Sequence, residues 1–186
     1  MRLFCRDSLS PAKESSSMKS FKIKCIISLL IVLTPVLSSA TAILDKHLQF
    51  LEPMLGKEWV GGFVGSGSPD IQIVLRFEPI LSGRAVKYVR EVETAEFSGI
   101  THFYWNPGNG DVCFISLNNR GIVGEGVVSQ EDGKIVLLGK SYREDLATEF
   151  KTILEIDATG TLRDTFLRME NGEWVHGHLQ EFVVIE

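Results

Sequence analysis

The chain reads as all-β: a ten-stranded antiparallel up-and-down barrel with a short N-terminal helix. Three observations predict it. From Trp59 to Val184, stretches rich in β-branched and aromatic residues recur at short intervals. Between them stand Asn106-Pro107-Gly108-Asn109-Gly110, Asn119-Arg120-Gly121, Asp132-Gly133, Thr159-Gly160 and Asn171-Gly172, where glycine accepts the positive φ that hairpin turns need. Beyond residue 42, a helical spacing of apolar residues shows only in Ile43–Leu55, at positions 43, 44, 48, 51 and 55. A meander of that length has two open edges, and closing on itself removes both.

Residues 1–42 stand apart from this domain. Met18 opens a basic segment, Met18-Lys19-Ser20-Phe21-Lys22-Ile23-Lys24, followed by the apolar run Cys25–Leu33, Thr34-Pro35 and the small-x-small site Ala40-Thr41-Ala42. The run is short for a bilayer span and the cleavage site follows at the right distance, so residues 1–42 read as a signal peptide cut near Ala42. The polar residues 1–17 sit awkwardly upstream of such a signal, which makes Met18 the expected start. The domain is then 43–186, secreted or periplasmic. It keeps one of the three cysteines, Cys113, so no internal disulfide can form, and a thiol on an apolar strand reads as a small buried hydrophobe.

Residues 1–42 hold six Lys/Arg and two Asp/Glu, which leaves 13 basic against 22 acidic residues and a net charge of −9. That balance argues against nucleic acid and against anionic membrane surfaces as partners of the mature form. The apolar content of 44% is enough for a real core in a single domain.

In chain order, Ile43–Leu55 predicts a short helix, with Pro53 near its end. The first strand follows, Trp59 to Phe63, with Gly61 and Gly62 marking a bulge or close approach. Next comes a clean alternation: Ile71, Ile73, Leu75 and Phe77 on one face, Gln72, Arg76 and Glu78 on the other. Strands are then expected at Ala85–Glu93, Ile100–Trp105, Asp111–Leu117, Ile122–Gln130, Lys134–Arg143, Thr148–Asp157, Thr161–Glu170 and Glu173–Val184.

Two-residue turns set register, and register sets which side chains share a face. About Asn171-Gly172, Leu167 falls opposite His176, Thr165 opposite His178, and Arg163 opposite Gln180. About Thr159-Gly160, Phe150, Thr152, Leu154 and Ile156 join the same face. The other face carries Glu149, Lys151, Glu155, Asp164, Arg168 and Glu181, and is the expected outside. About Asp132-Gly133, provided the Glu144–Ala147 connection holds no bulge, Ile135, Leu137, Gly139, Ser141 and Arg143 point inward, with Gly124 and Gly126 opposite. Val86, Tyr88, Arg90 and Val92 point inward too. The predicted interior thus holds Tyr88, Arg90, Arg143, Arg163, Thr165, His176, His178 and Gln180 among apolar residues. Three unpaired arginines in a filled core would be prohibitively costly, whereas a water- or ligand-filled cavity accommodates them. Gly124, Gly126 and Gly139 would leave the space.

With Gly56 and Trp59 after a helical segment and ten strands to follow, the chain resembles the calycin superfamily over Leu51–Val184: lipocalins, fatty-acid-binding proteins and haem-binding nitrobindins. Tyr104-Trp105-Asn106-Pro107 and Asn171-Gly172-Glu173-Trp174 look like an uncharacterised bacterial lipocalin-like family. The resemblance implies a lipocalin-like barrel that carries a small hydrophobic or amphiphilic molecule. The Tyr88/Arg90 alternation is similar to the carboxylate-binding Arg and Tyr of fatty-acid-binding proteins. His178-Leu179-Gln180-Glu181-Phe182 is similar to the nitrobindin ending that supplies a haem ligand.

His176-Gly177-His178 would set two imidazoles on one strand face, as a shared metal requires, but a stable site wants a third ligand. Haem or a metal ion at His178/His176 is therefore the minor expectation, beside no cofactor. Gly-x-Ser-x-Gly, His-Glu-x-x-His, phosphate-loop and dinucleotide motifs do not occur in the sequence, so enzyme activity is not predicted. The expected function is binding of an anionic amphiphile by Arg163, Arg143 or Arg90 with His176 and His178. Val127, Val136 and Leu138 on the outward face point to a self-association surface and a homodimer.

Overall fold

The computed structural model describes residues 43–65 and 71–185; the signal-peptide reading and the Met18 start lie outside them. Ten strands form one closed antiparallel barrel: β1 (Glu58–Phe63), β2 (Ile73–Ile80), β3 (Ala85–Val92), β4 (Phe97–Asn106), β5 (Asp111–Asn118), β6 (Val123–Glu131), β7 (Lys134–Arg143), β8 (Leu146–Ile156), β9 (Leu162–Glu170) and β10 (Glu173–Ile185). Each strand pairs with its neighbours in sequence, and β1 pairs with β10 to close the sheet.

The turns explain the register. Asp132-Gly133 and Asn171-Gly172 have positive φ at both residues (50° and 78°, 52° and 85°), the condition for a two-residue turn whose twist matches the strands. Glu144-Asp145 is equally tight, with Arg143 paired to Leu146, so the β7–β8 connection holds no bulge. The inward rows predicted for β3, β6, β7 and β8 are found: Tyr88, Val92, Val128, Ile135, Leu137, Phe150 and Leu154 are buried.

One end of the barrel is sealed. Within Ile43–Leu55, residues Gln49–Met54 form a 3-10 helix with Pro53 inside it. The segment crosses the end of the barrel. Asp45 N–H donates to Gly83 O at 2.9 Å in the β2–β3 connection, the His47 ring stacks on Trp105 of β4 at 3.7 Å, and Trp59 Nε1 donates to Met54 O at 3.3 Å. Leu48, Leu51 and Met54 are thereby buried with Trp59, Phe77, Phe103, Leu162 and Phe182 in one apolar core. Burial on that scale, roughly 1.5–3 kcal/mol per large side chain, is what holds a single-sheet fold together.

The outer surface is charged. Arg76 bridges Glu58 and Glu91 at 2.7 Å each, Lys87 meets Glu78 at 2.6 Å, Lys134 meets Glu155 at 3.0 Å, and Lys140 meets Glu149 at 3.3 Å. Val127 and Leu138 are cross-strand neighbours and partly exposed, as expected, but Val136 is buried among its neighbours. Cys113 is a free, buried thiol.

Candidate functional site

Toward the other end the side chains draw back and leave a cavity of about 380 Å³, lined by side chains from eight strands, β3 to β10, and by Ile122 beside β6. Its walls are aromatic (Phe97, Phe114, Phe150, Phe166), with small polar groups between them, including Thr101 and Ser116, whose hydroxyls are hydrogen-bonded at 3.0 Å. Arg90 and Asp164 are the charged residues in the lining. They belong to β3 and β9, which have β2, β1 and β10 between them around the barrel, so their pairing is a strut across the lumen. Arg90 Nη2 donates to Asp164 Oδ2; Arg90 Nε and Nη2 also donate to Tyr88 Oη, at 3.1 and 2.8 Å. Phe77 backs Tyr88 by stacking at 4.5 Å.

Burial alone would weaken the positive charge of Arg90, but the Tyr88 oxygen and the Asp164 carboxylate outweigh it and hold the guanidinium above its ordinary pKa. Burial, reinforced by Asp164 and opposed by Arg90, pushes the Tyr88 phenol up to about 12. Tyr88 therefore keeps its proton at physiological pH. Because its oxygen accepts from Arg90, that proton is free for a third group. Arg90 Nη1 has no partner among the described residues, and the Arg90 side chain is 22% exposed. Asp164 and its cross-strand partner Gln180 are buried, at 2% and 1% exposure. Asp164 Oδ1 and Gln180 Oε1 have no hydrogen-bond partner among the described residues.

His178 enters the cavity on β10, stacked on Phe166 at 5.0 Å and edge-on to Phe63 at 5.3 Å. Burial lowers its pKa; Asp164 acts the other way, and Arg90 and His176 add to the lowering.

Of the sequence-predicted residues, the structure brings Tyr88, Arg90, His178 and Gln180 to the interior and leaves four elsewhere. Arg163 points outward and bonds Glu181 at 3.0 Å and Asp157 at 3.3 Å. Thr165 shares that outward row of β9. His176 is exposed, paired with Leu167 on the same row. Arg143 does lie on the inward row of β7, but two residues beyond Ser141, exposed at the strand end and outside the cavity lining.

Two one-residue offsets account for the β9 and β10 corrections. Thr159-Gly160 is not a two-residue turn, because β-branched Thr159 avoids positive φ and only Gly160 adopts it (85°). The Asp157 carboxylate accepts from Thr159 N at 2.8 Å and Thr161 N at 3.1 Å, and Ile156 pairs with Leu162 instead of Arg163. All of β9 is flipped, which puts Arg163 outside and Asp164, expected outside, within. A bulge at Gly177 then flips the pairing back, so His178 faces in with Phe166 while His176 faces out. A side chain at 177 would meet Phe166 Cδ1 at 2.7 Å. The offsets cancel for His178 and Gln180.

The inward glycines also divide. A Cβ on Gly124 would make ordinary contacts with Ser116 and Phe150 at 3.5–3.6 Å and project into the cavity. Gly126 and Gly139, by contrast, face each other where β6 and β7 approach closely, and a Cβ on Gly139 would strike Phe114 Cζ at 2.7 Å. They leave no void.

No group of three or more His, Cys, Asp or Glu side chains suited to a metal occurs among the described residues. His176 and His178 lie on opposite faces of β10. No family model matches the chain, and no curated protein matches it.

Proposed function

We propose that this barrel carries a small, largely apolar molecule in its open half, with a hydrogen-bond acceptor of the ligand seated on Arg90 Nη1 or on the Tyr88 hydroxyl. One observation carries the reading: an aromatic cavity of about 380 Å³ is lined by Arg90, whose Nη1 has no partner among the described residues, and by Tyr88, whose phenol proton is likewise unused. The volume lies within the range of small-molecule sites, and a few fixed polar groups in an apolar lining are their usual composition. With Arg143 and Arg163 outside, Arg90 is the arginine left to receive a head group.

The location is proposed as secreted or periplasmic, on the sequence of residues 1–42. The ring of ion pairs on the outer surface supports a barrel bathed in water, since lipid-facing strands exclude such charges. The exposed row Tyr104, Val127 and Leu138 supports self-association, and gel filtration against L138E tests it.

Filling the cavity tests the carrier reading. Gly124→Leu is expected to abolish fluorescence enhancement of the uncharged dye N-phenyl-1-naphthylamine while the melting temperature holds. Undiminished dye binding in this variant would sink the reading. A haem reading has one imidazole to offer, His178; a Soret band in the purified protein that His178→Ala removes would replace the carrier reading.

A further inference from the structure

We propose that the cavity selects uncharged carbonyl compounds (ketones, aldehydes, esters or amides with an apolar tail) over the corresponding carboxylates. The inference rests on the binding reading above and names the class of head group. Its basis is a charge balance. Arg90 is the cation of the lining, and Asp164 neutralises it from the opposite side of the lumen. An incoming carboxylate would bring a second negative charge to a guanidinium already paired, and would lose its hydration in an aromatic cavity. Burial sharpens the effect, since the Asp164 side chain is 3% exposed and its carboxylate charge is little screened by water.

A carbonyl oxygen meets no such obstacle. One donor suffices for it, and the strut leaves two at separate places: Arg90 Nη1–H, and the hydroxyl of Tyr88 on the opposite, Nε/Nη2 side of the guanidinium. Asp164 and Tyr88 fix the guanidinium from two sides, so Nη1 is preorganised and the ligand loses little entropy in ordering it. Phe97, Phe114, Phe150 and Phe166 provide the apolar wall for the tail.

Competition against N-phenyl-1-naphthylamine at pH 8 tests this with matched ligands: 2-decanone, methyl decanoate, decanamide and decanoate. The three neutral compounds are expected to displace the dye at concentrations at least about tenfold lower than decanoate. In Asp164→Asn, decanoate should gain about tenfold while 2-decanone moves by less than about threefold. If Asp164→Asn does not fold, as judged by circular dichroism, the wild-type series decides alone. Decanoate binding as tightly as the ester and the amide overturns the selectivity and leaves the carrier reading standing. Failure of the dye, or of every ligand, to bind overturns the carrier reading and this inference with it.

Discussion

The two ends of the barrel use the same sheet for opposite purposes. At the sealed end, Leu48, Leu51, Met54, Trp59 and Phe182 fill the lumen with apolar side chains, and the buried donor Trp59 Nε1 meets Met54 O. At the open end the lumen is bridged by an ion pair, and the volume around it is left free. If the proposed function holds, stability resides mainly at one end and ligand recognition at the other. Substitutions should separate the two.

The largest effect is expected from the sealed end. Leu51→Ala removes a fully buried side chain and should cost about 2–5 kcal/mol in urea unfolding, with dye affinity of the folded fraction unchanged. A loss of dye binding at full folding would show that the ends are not separable. Breaking the strut comes next. Asp164→Leu strands Arg90 and should cost about 3 kcal/mol, whereas the double variant Arg90→Met/Asp164→Leu should recover most of it while losing ligand. A double variant as unstable as the single one would mean that Arg90 and Asp164 stabilise independently.

Third, Gly139→Ala should cost about 1–3 kcal/mol because backbone and Phe114 stand in its way, while Gly124→Ala should stay within about 0.5 kcal/mol. Equal effects would contradict the close approach of β6 and β7.

The fourth prediction is a pH dependence. The pKa of His178 in the folded barrel lies below the 6.5 of the unfolded chain, so above 6.5 the ring is neutral in both states and contributes no slope. As pH falls through 6.5, the unfolded chain takes the proton first and stability is lost. His178→Gln should remove that part of the decline, measured as the difference between the two stability–pH curves. The smallest effect belongs to Arg163→Ala, expected within about 0.5 kcal/mol and without influence on dye binding, as suits an exposed ion pair.

Strand number and most inward rows were legible in the sequence because the turns carry their own chemistry. Asp132-Gly133 and Asn171-Gly172 can place both residues at positive φ, and each fixes a hairpin by itself. Thr159-Gly160 looks similar but cannot, and the cue lay in the branched Thr159 and the Asx-forming Asp157. His176-Gly177-His178 drew attention to its histidines, while the informative residue was the glycine, a common mark of a bulge. What no local pattern could supply is the Arg90–Asp164 pair. The partners are 74 residues apart and meet only across a closed lumen. Asp164 was misplaced to the exterior by one residue of register, and with it went the charge balance of the cavity.

The seam between β1 and β10 has a kinetic consequence. Glu58 pairs with Ile185 and Gly61 with Phe182, so the contacts that close the barrel join segments far apart in sequence. The helix Gln49–Met54 and Trp59 are made early in synthesis but are covered by Phe182 only when β10 arrives. Until then the outer edge of β1 is unpaired and open to pairing with other chains. The other nine strand pairings are local hairpins, so the loop-closure cost that local pairing avoids falls on this one seam. The rate of closure at this seam, more than equilibrium stability, sets how long the nascent barrel is exposed to aggregation.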